Sequence, residues 1–177
     1  MVPFNEFNEE SKIAQTIDDL NSGKKIALVS DAGTPLISDP GFKLVREAIN
    51  KGIKIESTPG PTATITSLTV SGLPTDKFLF LSYLPKKQVK RKKLLQSLFT
   101  ILQSMEDNRL KPTVILYESP HRLIRTLTDF KEVFGDIDIV ICREMTKIHE
   151  EVRREKVSQA IEHFSEVNPK GEFTIVF

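Results

Sequence analysis

The sequence predicts an α/β protein of two lobes, and three observations predict it. Short apolar runs with the look of buried strands ("KIALVS", "PTVILY", "IDIVIC") alternate with segments whose apolar residues recur at helical spacing. Two loops rich in Gly and Pro each follow a strand-like run in the first part of the chain. The turn-forming stretch "SGLPTD" then separates that part from a second alternating series, which places the lobes at 1–76 and 77–177.

From the N-terminus, "NEESKIAQTIDDLNSGKK" predicts a helix with Ile13, Ala14, Ile17 and Leu20 on one face, Asn8 or Ser11 as its cap and Asn21-Ser22-Gly23 as its stop. "KIALVS" (25–30) is expected to be a strand buried on both faces. "GFKLVREAINKG" predicts a helix striped by Leu44, Val45, Ala48 and Ile49, and "IKIEST" alternates as a second strand. Small and apolar residues from Thr62 to Val70 then suit a closely packed helix. In the second lobe "KFLFLSYL" predicts a strand and "QVKRKKLLQSLFTILQSM" a long helix. "PTVILY" is a buried strand leading into the helix of "ESPHRLIRTLTDFKEVFG", with Leu123, Leu127 and Phe130 facing the core. "IDIVICRE", "EEVRREKV", "SQAIEHFSEV" and "KGEFTIVF" predict strand, strand, helix and a closing strand paired beside "IDIVIC".

Composition narrows the function classes. Of the 177 residues 39% are hydrophobic and 28% charged, as in a folded water-soluble chain rather than a disordered one. No apolar run nears the roughly 20 residues that cross a bilayer, and "MVPFNEFNEESK" lacks the basic start and apolar stretch of a signal peptide. The expectation is a cytoplasmic protein that makes no membrane contact. The single Cys142 rules out an internal disulfide and reads as a buried strand residue. His121, His149 and His163 are scattered without metal-ligand spacing, so no metal is expected.

Net charge is only +1, but "PKKQVKRKK" places six of the 25 Lys and Arg within residues 85–93. Lys86, Lys87, Lys90, Arg91, Lys92 and Lys93 form either a solvated helix face or a patch that contacts phosphates.

The loops "SDAGTPLISDPG" and "STPGPTAT" both lie between a strand-like run and a helix. In parallel sheets that edge binds ligands, because strand ends and helix N-termini converge there. Gly33 and Gly60 allow the backbone to approach a ligand, and Pro35, Pro40, Pro59 and Pro61 stiffen the loops. Neither loop matches G-x-x-x-x-G-K-[ST] or G-x-G-x-x-G, and no G-x-S-x-G elbow occurs, so nucleotide hydrolysis and serine-hydrolase chemistry lack support. In the second lobe Glu118, His121 and Arg122 gather at a strand end, where Glu118 either caps the next helix or meets a polar ligand. Arg143, Glu144 and Lys147 follow another strand, as a salt-bridged surface or a substrate face.

"ALVSDAGTPLISDPG", "PGPTA", "SGLPTDKF", "YESPHR" and "REMTK", in this order, resemble the ribosomal small-subunit methyltransferase I family of the tetrapyrrole methylase superfamily. The likeness runs from "FNEFNEESK" to "GEFTIVF". It implies a two-lobed tetrapyrrole-methylase-like fold that holds S-adenosylmethionine between its lobes, usually as a homodimer. The implied reaction is methyl transfer to the ribose 2′-oxygen of a cytidine in 16S rRNA. The resemblance assigns Ala32, Gly33, Thr34, Ile37, Thr62 and Ala63 to the cofactor, and puts Glu118 where the second lobe closes over it. Thr34 replaces an Asp of the tetrapyrrole-modifying relatives, and the basic run matches a segment expected to contact RNA. Candidate catalytic groups are Glu118, His121 and Glu144 as proton acceptors, with Arg122, Arg143 and Lys147 as electrostatic partners. Family members also carry an N-terminal "TPIGN"-like loop and an "EDTR"-like segment that this sequence does not contain, so the first lobe is expected to be incomplete. Two rival readings follow: an RNA-binding module without turnover, and a methyltransferase acting on a small molecule.

Overall fold

The computed structural model describes residues 1–106 and 110–177. Two compact units divide the chain, Met1–Thr62 and Ala63–Phe177.

In the first unit, α1 (Glu9–Asn21) and α2 (Phe42–Asn50) pack on each other. Ile17, Leu44 and Ala48 form a small core, flanked by Phe4, Ile13, Leu20 and Ile53. The stripe predicted on α2 is only half used, since Leu44 and Ala48 are buried while Ile49 is 60% exposed. The expected strands are absent: neither 25–30 nor 53–58 forms one, and Ile26, Val29 and Ile55 are exposed. A strand exists only when a neighbour completes its hydrogen bonds, and among the described residues neither segment has such a partner. Apolar composition alone could not decide this.

The second unit holds α3 (Ala63–Ser71), β1 (Phe78–Tyr83), α4 (Gln88–Glu106), β2 (Thr113–Glu118), α5 (Leu123–Phe134), β3 (Asp138–Arg143), β4 (Glu151–Lys156), α6 (Val157–Glu166) and β5 (Phe173–Val176). Every strand and helix expected after residue 77 is present. The sheet order is β1-β2-β5-β3-β4, with β1 and β2 parallel and β5 antiparallel to both β2 and β3. The closing strand thus sits in the middle of the sheet, beside "IDIVIC" as expected and beside β2 as well.

Side chains alternate between the two faces. Val114, Leu116, Ile139, Ile141, Phe173 and Ile175 meet Leu95, Leu98 and Leu102 of α4, Leu123, Leu127 and Phe130 of α5, and Phe164 of α6. Ile115, Val140, Cys142 and Val176 face the other way and pack with Leu68 of α3. Because α3 covers this second face, the compact unit begins at Ala63, ahead of the 76/77 boundary read from the sequence.

A buried ion pair joins α4 to α5 inside this packing, with Lys92 adding a longer contact to the same Asp129 at 3.7 Å. Asp129 is fully buried, and its Oδ2 accepts from Nε and Nη2 of Arg91 at 2.7 and 2.6 Å while its Oδ1 accepts from Gln88 at 2.8 Å. A charge this deep is tolerated only when its partner stays. We expect Arg91→Ala to cost about 3 kcal/mol in urea unfolding, because it leaves the buried Asp129 carboxylate only Gln88 and the more distant Lys92 ammonium at 3.7 Å. The double change Arg91→Met, Asp129→Leu should recover most of that loss. A double variant as unstable as the single would contradict this account of the pair.

Candidate functional site

Candidate residues gather in two places, one in each unit. In the first unit the two Gly/Pro loops meet. Thr34 donates through Oγ1 to the Pro61 carbonyl at 3.0 Å, and Ser30 Oγ donates to the carbonyls of Gly33 at 2.7 Å and Ala32 at 3.2 Å. Gly33 has φ +75°, and a Cβ placed there would contact only the Pro61 carbonyl oxygen, at 3.5 Å. Ala32 and Gly33 are both exposed, so their backbone is accessible. Ile37 is exposed, Thr34 and Thr62 are half-buried, and Ala63 is an exposed residue opening α3. Leu36 and Ser38 hold φ of 73° and 61°, a left-handed backbone that costs an L side chain energy and persists only where the surroundings impose it. At the loop's far end Gly41 is buried with φ +127°, and a Cβ there would lie 2.6 Å from Leu28 Cδ2.

In the second unit the candidates share one edge of the sheet. β1, β2 and β3 run in one direction, so Tyr83, Glu118 and Arg143 lie at the same end, and Phe173 of β5 is in register with both Glu118 and Arg143. Ligands bind at such carboxyl ends in α/β sheets. Glu118 is 1% exposed and already engaged, its Oε1 accepting from the Ser119 N–H at 2.7 Å and its Oε2 from the Thr126 hydroxyl at 2.6 Å. Arg122 Nε stands 3.4 Å from Glu118 Oε1 without a hydrogen bond, a coulombic pairing only. Nη2 of Arg122 donates to the Leu84 carbonyl at 2.6 Å. Glu118 thus closes the β2–α5 turn on itself and Arg122 binds that turn to the residues that follow β1. This structural role differs from the helix cap expected of Glu118, since the N-cap of α5 is Arg122 and no side chain caps the helix. His121 in that turn is exposed, and among the described residues its ring makes no hydrogen bond.

Arg143, Glu144 and Lys147 form a second cluster along the edge. Arg143 donates to the Lys170 carbonyl at 2.7 Å and pairs with Glu151 at 3.3 Å. Glu144 Oε1 accepts from the Glu172 N–H at 2.8 Å and from Lys147 Nζ at 3.1 Å, and Lys147 reaches Glu172 Oε2 at 3.0 Å. The Glu172 amide foremost, and then the Lys147 ammonium, hold the Glu144 carboxyl below its usual range. Hydrogen bonds from Lys147 to Glu172 and Glu144 push its ammonium pKa up. At neutral pH Lys147 stays an ammonium with no lone pair to take a proton, while Glu144 stays a carboxylate whose basicity these hydrogen bonds lower. Gly171 makes the arrangement possible, because a Cβ there would fall 2.5 Å from Glu144 Cγ.

The sequence reading missed two tyrosines at this edge. β1 bulges between Phe80 and Tyr83, with Ser82 at φ 56°, and such a bulge re-aims the side chains around it. Burial, then the charges of Glu172 and Glu118, push the Tyr83 phenol up, so it remains a hydrogen-bond donor at neutral pH. Tyr117 accepts from the Thr64 N–H at 3.1 Å and shares a 2.7 Å hydrogen bond with its hydroxyl, holding the start of α3. The available signal was a phenol closing each of two apolar strands, "FLFLSY" and "VILY".

The basic run divides. Arg91 is withdrawn into the Asp129 pair and is 3% exposed, so it leaves the set expected to face phosphates. Lys92 is half-buried and bonded to Glu132. Lys86, Lys87, Lys90 and Lys93 remain exposed, the last two a helical turn apart on α4. Among the described residues no group of His, Cys, Asp and Glu could hold a metal ion, and no helix is long and apolar enough to cross a membrane.

Comparison with known proteins bears on this geometry. Residues 2–161 match the family model of tetrapyrrole (corrin/porphyrin) methylases. A protein of Thermotoga maritima named ribosomal RNA small subunit methyltransferase I is 44% identical over 99% of this chain and 75% of its own length. One of the same name from Halalkalibacterium halodurans is 43% identical over 99% of this chain, which spans 58% of that relative. Among solved structures, a diphthine synthase superposes with a TM-score of 0.72 at 14% identity, over 99% of this chain and 68% of that one. A Thermus thermophilus uroporphyrin-III C-methyltransferase complexed with S-adenosylhomocysteine gives 0.60 at 15% identity, over 96% and 73% of the two chains. At such identities these structures speak for the fold alone.

The Glu144 cluster has a pH signature. A carboxyl held below its unfolded value stabilises the fold above that value, and the contribution is lost as pH falls through the folded pKa. Urea midpoints measured from pH 7 down to pH 3 should therefore fall less in Glu144→Gln than in the wild type. Parallel curves would mean that the bond from the Glu172 amide adds nothing.

Proposed function

The chain belongs to the tetrapyrrole methylases, among the ribosomal RNA small subunit methyltransferase I proteins, and from this we propose that it carries the cofactor loop and C-terminal lobe of an S-adenosylmethionine-dependent enzyme that methylates a cytidine 2′-oxygen of 16S rRNA. The observation that carries the reading is 44% identity to a named rRNA methyltransferase along 99% of the chain. In the whole enzyme we place the lobe boundary at 76/77, in a cytoplasmic homodimer.

The loop geometry fits the cofactor. The exposed backbone of Ala32 and Gly33 is accessible to an adenosyl group, and the Thr34–Pro61 bond keeps the second loop beside the first. Ala32, Gly33, Thr34, Ile37, Thr62 and Ala63 would hold it, largely through backbone. When bound, S-adenosylmethionine supplies an electrophilic methyl group. The protein's own task is to align the ribose hydroxyl and relieve it of its proton. Of the candidate acceptors, Glu118 is occupied on both oxygens and Glu144 is engaged by the Glu172 amide and Lys147, which lower its basicity, and this leaves the exposed His121 as the group we assign to the proton. Tyr83 and Arg143 at the same sheet edge would orient RNA oxygens by donating hydrogen bonds. Lys86, Lys87, Lys90 and Lys93 would contact the RNA backbone.

Calorimetric titration of the chain with S-adenosylmethionine tests the reading first. Saturable binding is expected, weakened about ten-fold or more in Gly33→Val, the scale of one lost close contact in a site. A folded chain that binds no S-adenosylmethionine overturns the assignment of these loops. Changing Lys86, Lys87, Lys90 and Lys93 to Ser should lower affinity for small-subunit RNA and flatten its salt dependence by about 0.7 per lost phosphate contact. Cofactor affinity should hold in that variant. Unchanged RNA binding would remove α4 and the preceding turn from the interface.

A further inference from the structure

We propose that Glu9, on the first turn of α1, is a positioning residue that sets the conformation of the cofactor loop. The inference rests on the reading of residues 31–41 as that loop. Glu9 is 8% exposed, and its Oε1 accepts from the Gly41 N–H at 3.1 Å, joining the start of α1 to the end of the loop. Gly41 is a demanding place for such a bond. It is buried at φ +127°, and a Cβ there would strike Leu28 at 2.6 Å and Leu36 at 3.1 Å, so backbone and neighbours fit in one arrangement. Leu36, packed against Gly41, is itself held at φ 73°, and Ser38 lies between them at φ 61°. Strain of this kind relaxes unless both ends are fixed. Thr34 fixes the near end through Pro61, and Glu9 fixes the far end.

A purely structural role for Glu9 would be to cap α2. Gly41 is the N-cap of that helix and has no side chain to offer, so a carboxylate beside it also favours the helix dipole. Capping alone would stabilise α2 without affecting a ligand held at Ala32 and Gly33. Positioning differs because it must appear in cofactor affinity, and it must depend on the reach of the side chain more than on its charge.

Three variants separate these roles. Glu9→Gln keeps an acceptor oxygen at the same reach and removes the charge. Glu9→Asp keeps the charge and falls one methylene short, and Glu9→Ala removes both. Each is titrated with S-adenosylmethionine, and amide hydrogen exchange is followed at residues 31–41 and along α2. We expect the dissociation constant to rise about five-fold in Glu9→Asp and Glu9→Ala, the scale of one hydrogen bond, and to stay within about two-fold in Glu9→Gln. Exchange should quicken at Gly41 and through the loop in the first two while the Leu44–Ala48 amides keep their protection. Glu9→Asp is the milder change should Glu9→Ala fail to fold. Wild-type cofactor affinity in Glu9→Asp, or damage in Glu9→Gln equal to that in Glu9→Ala, would overturn the proposal. If the wild-type chain binds no S-adenosylmethionine, the cofactor reading falls, and this inference with it. If the wild type binds and Gly33→Val does not, a normal Glu9→Asp sinks the positioning role alone.

Discussion

The second unit depends on where β5 is inserted. A strand of four residues, all buried, runs antiparallel between β2 and β3 and satisfies the backbone of both. Without it the β1–β2 pair and the β3–β4 pair would each present an open edge, with no single core for α4, α5 and α6 to cover. The same insertion aligns the functional edge. Phe173 is opposite Glu118 on one side and Arg143 on the other, so two loops far apart in sequence meet across one strand end. The Gly171 turn that leads into β5 then receives the Glu144 side chain, and the Glu172 amide fixes it. Core and site edge are thus consequences of one pairing.

The first unit is organised differently. Its core is three buried residues between two helices, and the rest is held by individual hydrogen bonds: Thr34 to Pro61, Ser30 to its own loop, and Glu9 to Gly41. A sheet spreads its stability over many equivalent bonds, whereas here single side chains maintain a strained loop. Removing one of them shifts a local conformation more than it shifts the unfolding free energy. Residues such as Glu9 are for that reason inconspicuous in a sequence, where an acid on a first helical turn reads as a favourable dipole contact and nothing more.

Legibility followed the range of the interactions involved. The strands and helices after residue 77 were readable because each carries its own periodicity and its partners lie within the chain's described residues. The apolar run at 25–30 carried an equally strong strand signal, yet pairing is a relation between two segments and composition describes only one. The cofactor loop was visible through its Gly and Pro, whose backbone restrictions are local. Leu36 and Ser38 in the left-handed region were not visible, because nothing in those residue types asks for it. At the sheet edge the sequence brought forward the right stretches, "YESPHR" and "REMTK", but could not divide their charges into those committed to the fold and those left open.

That division follows from burial more than from charge. Arg91 and Lys90 are neighbours in one basic run, yet the helix turns the first toward Asp129 and the second toward solvent, about 100° away. Arg91 anchors α4 on α5, and by doing so fixes the direction in which Lys90 and Lys93 point. The same logic holds for Glu118 and His121, three residues apart across the β2–α5 turn. The carboxylate, closed in by Ser119, Thr126 and Arg122, shapes the turn that presents the imidazole to solvent. In both pairs the buried charge is committed to geometry and its exposed neighbour is free to meet a ligand. A basic run or an acidic strand end is therefore best read as scaffold and contact interleaved, with helical phase and strand end deciding which residue takes which part.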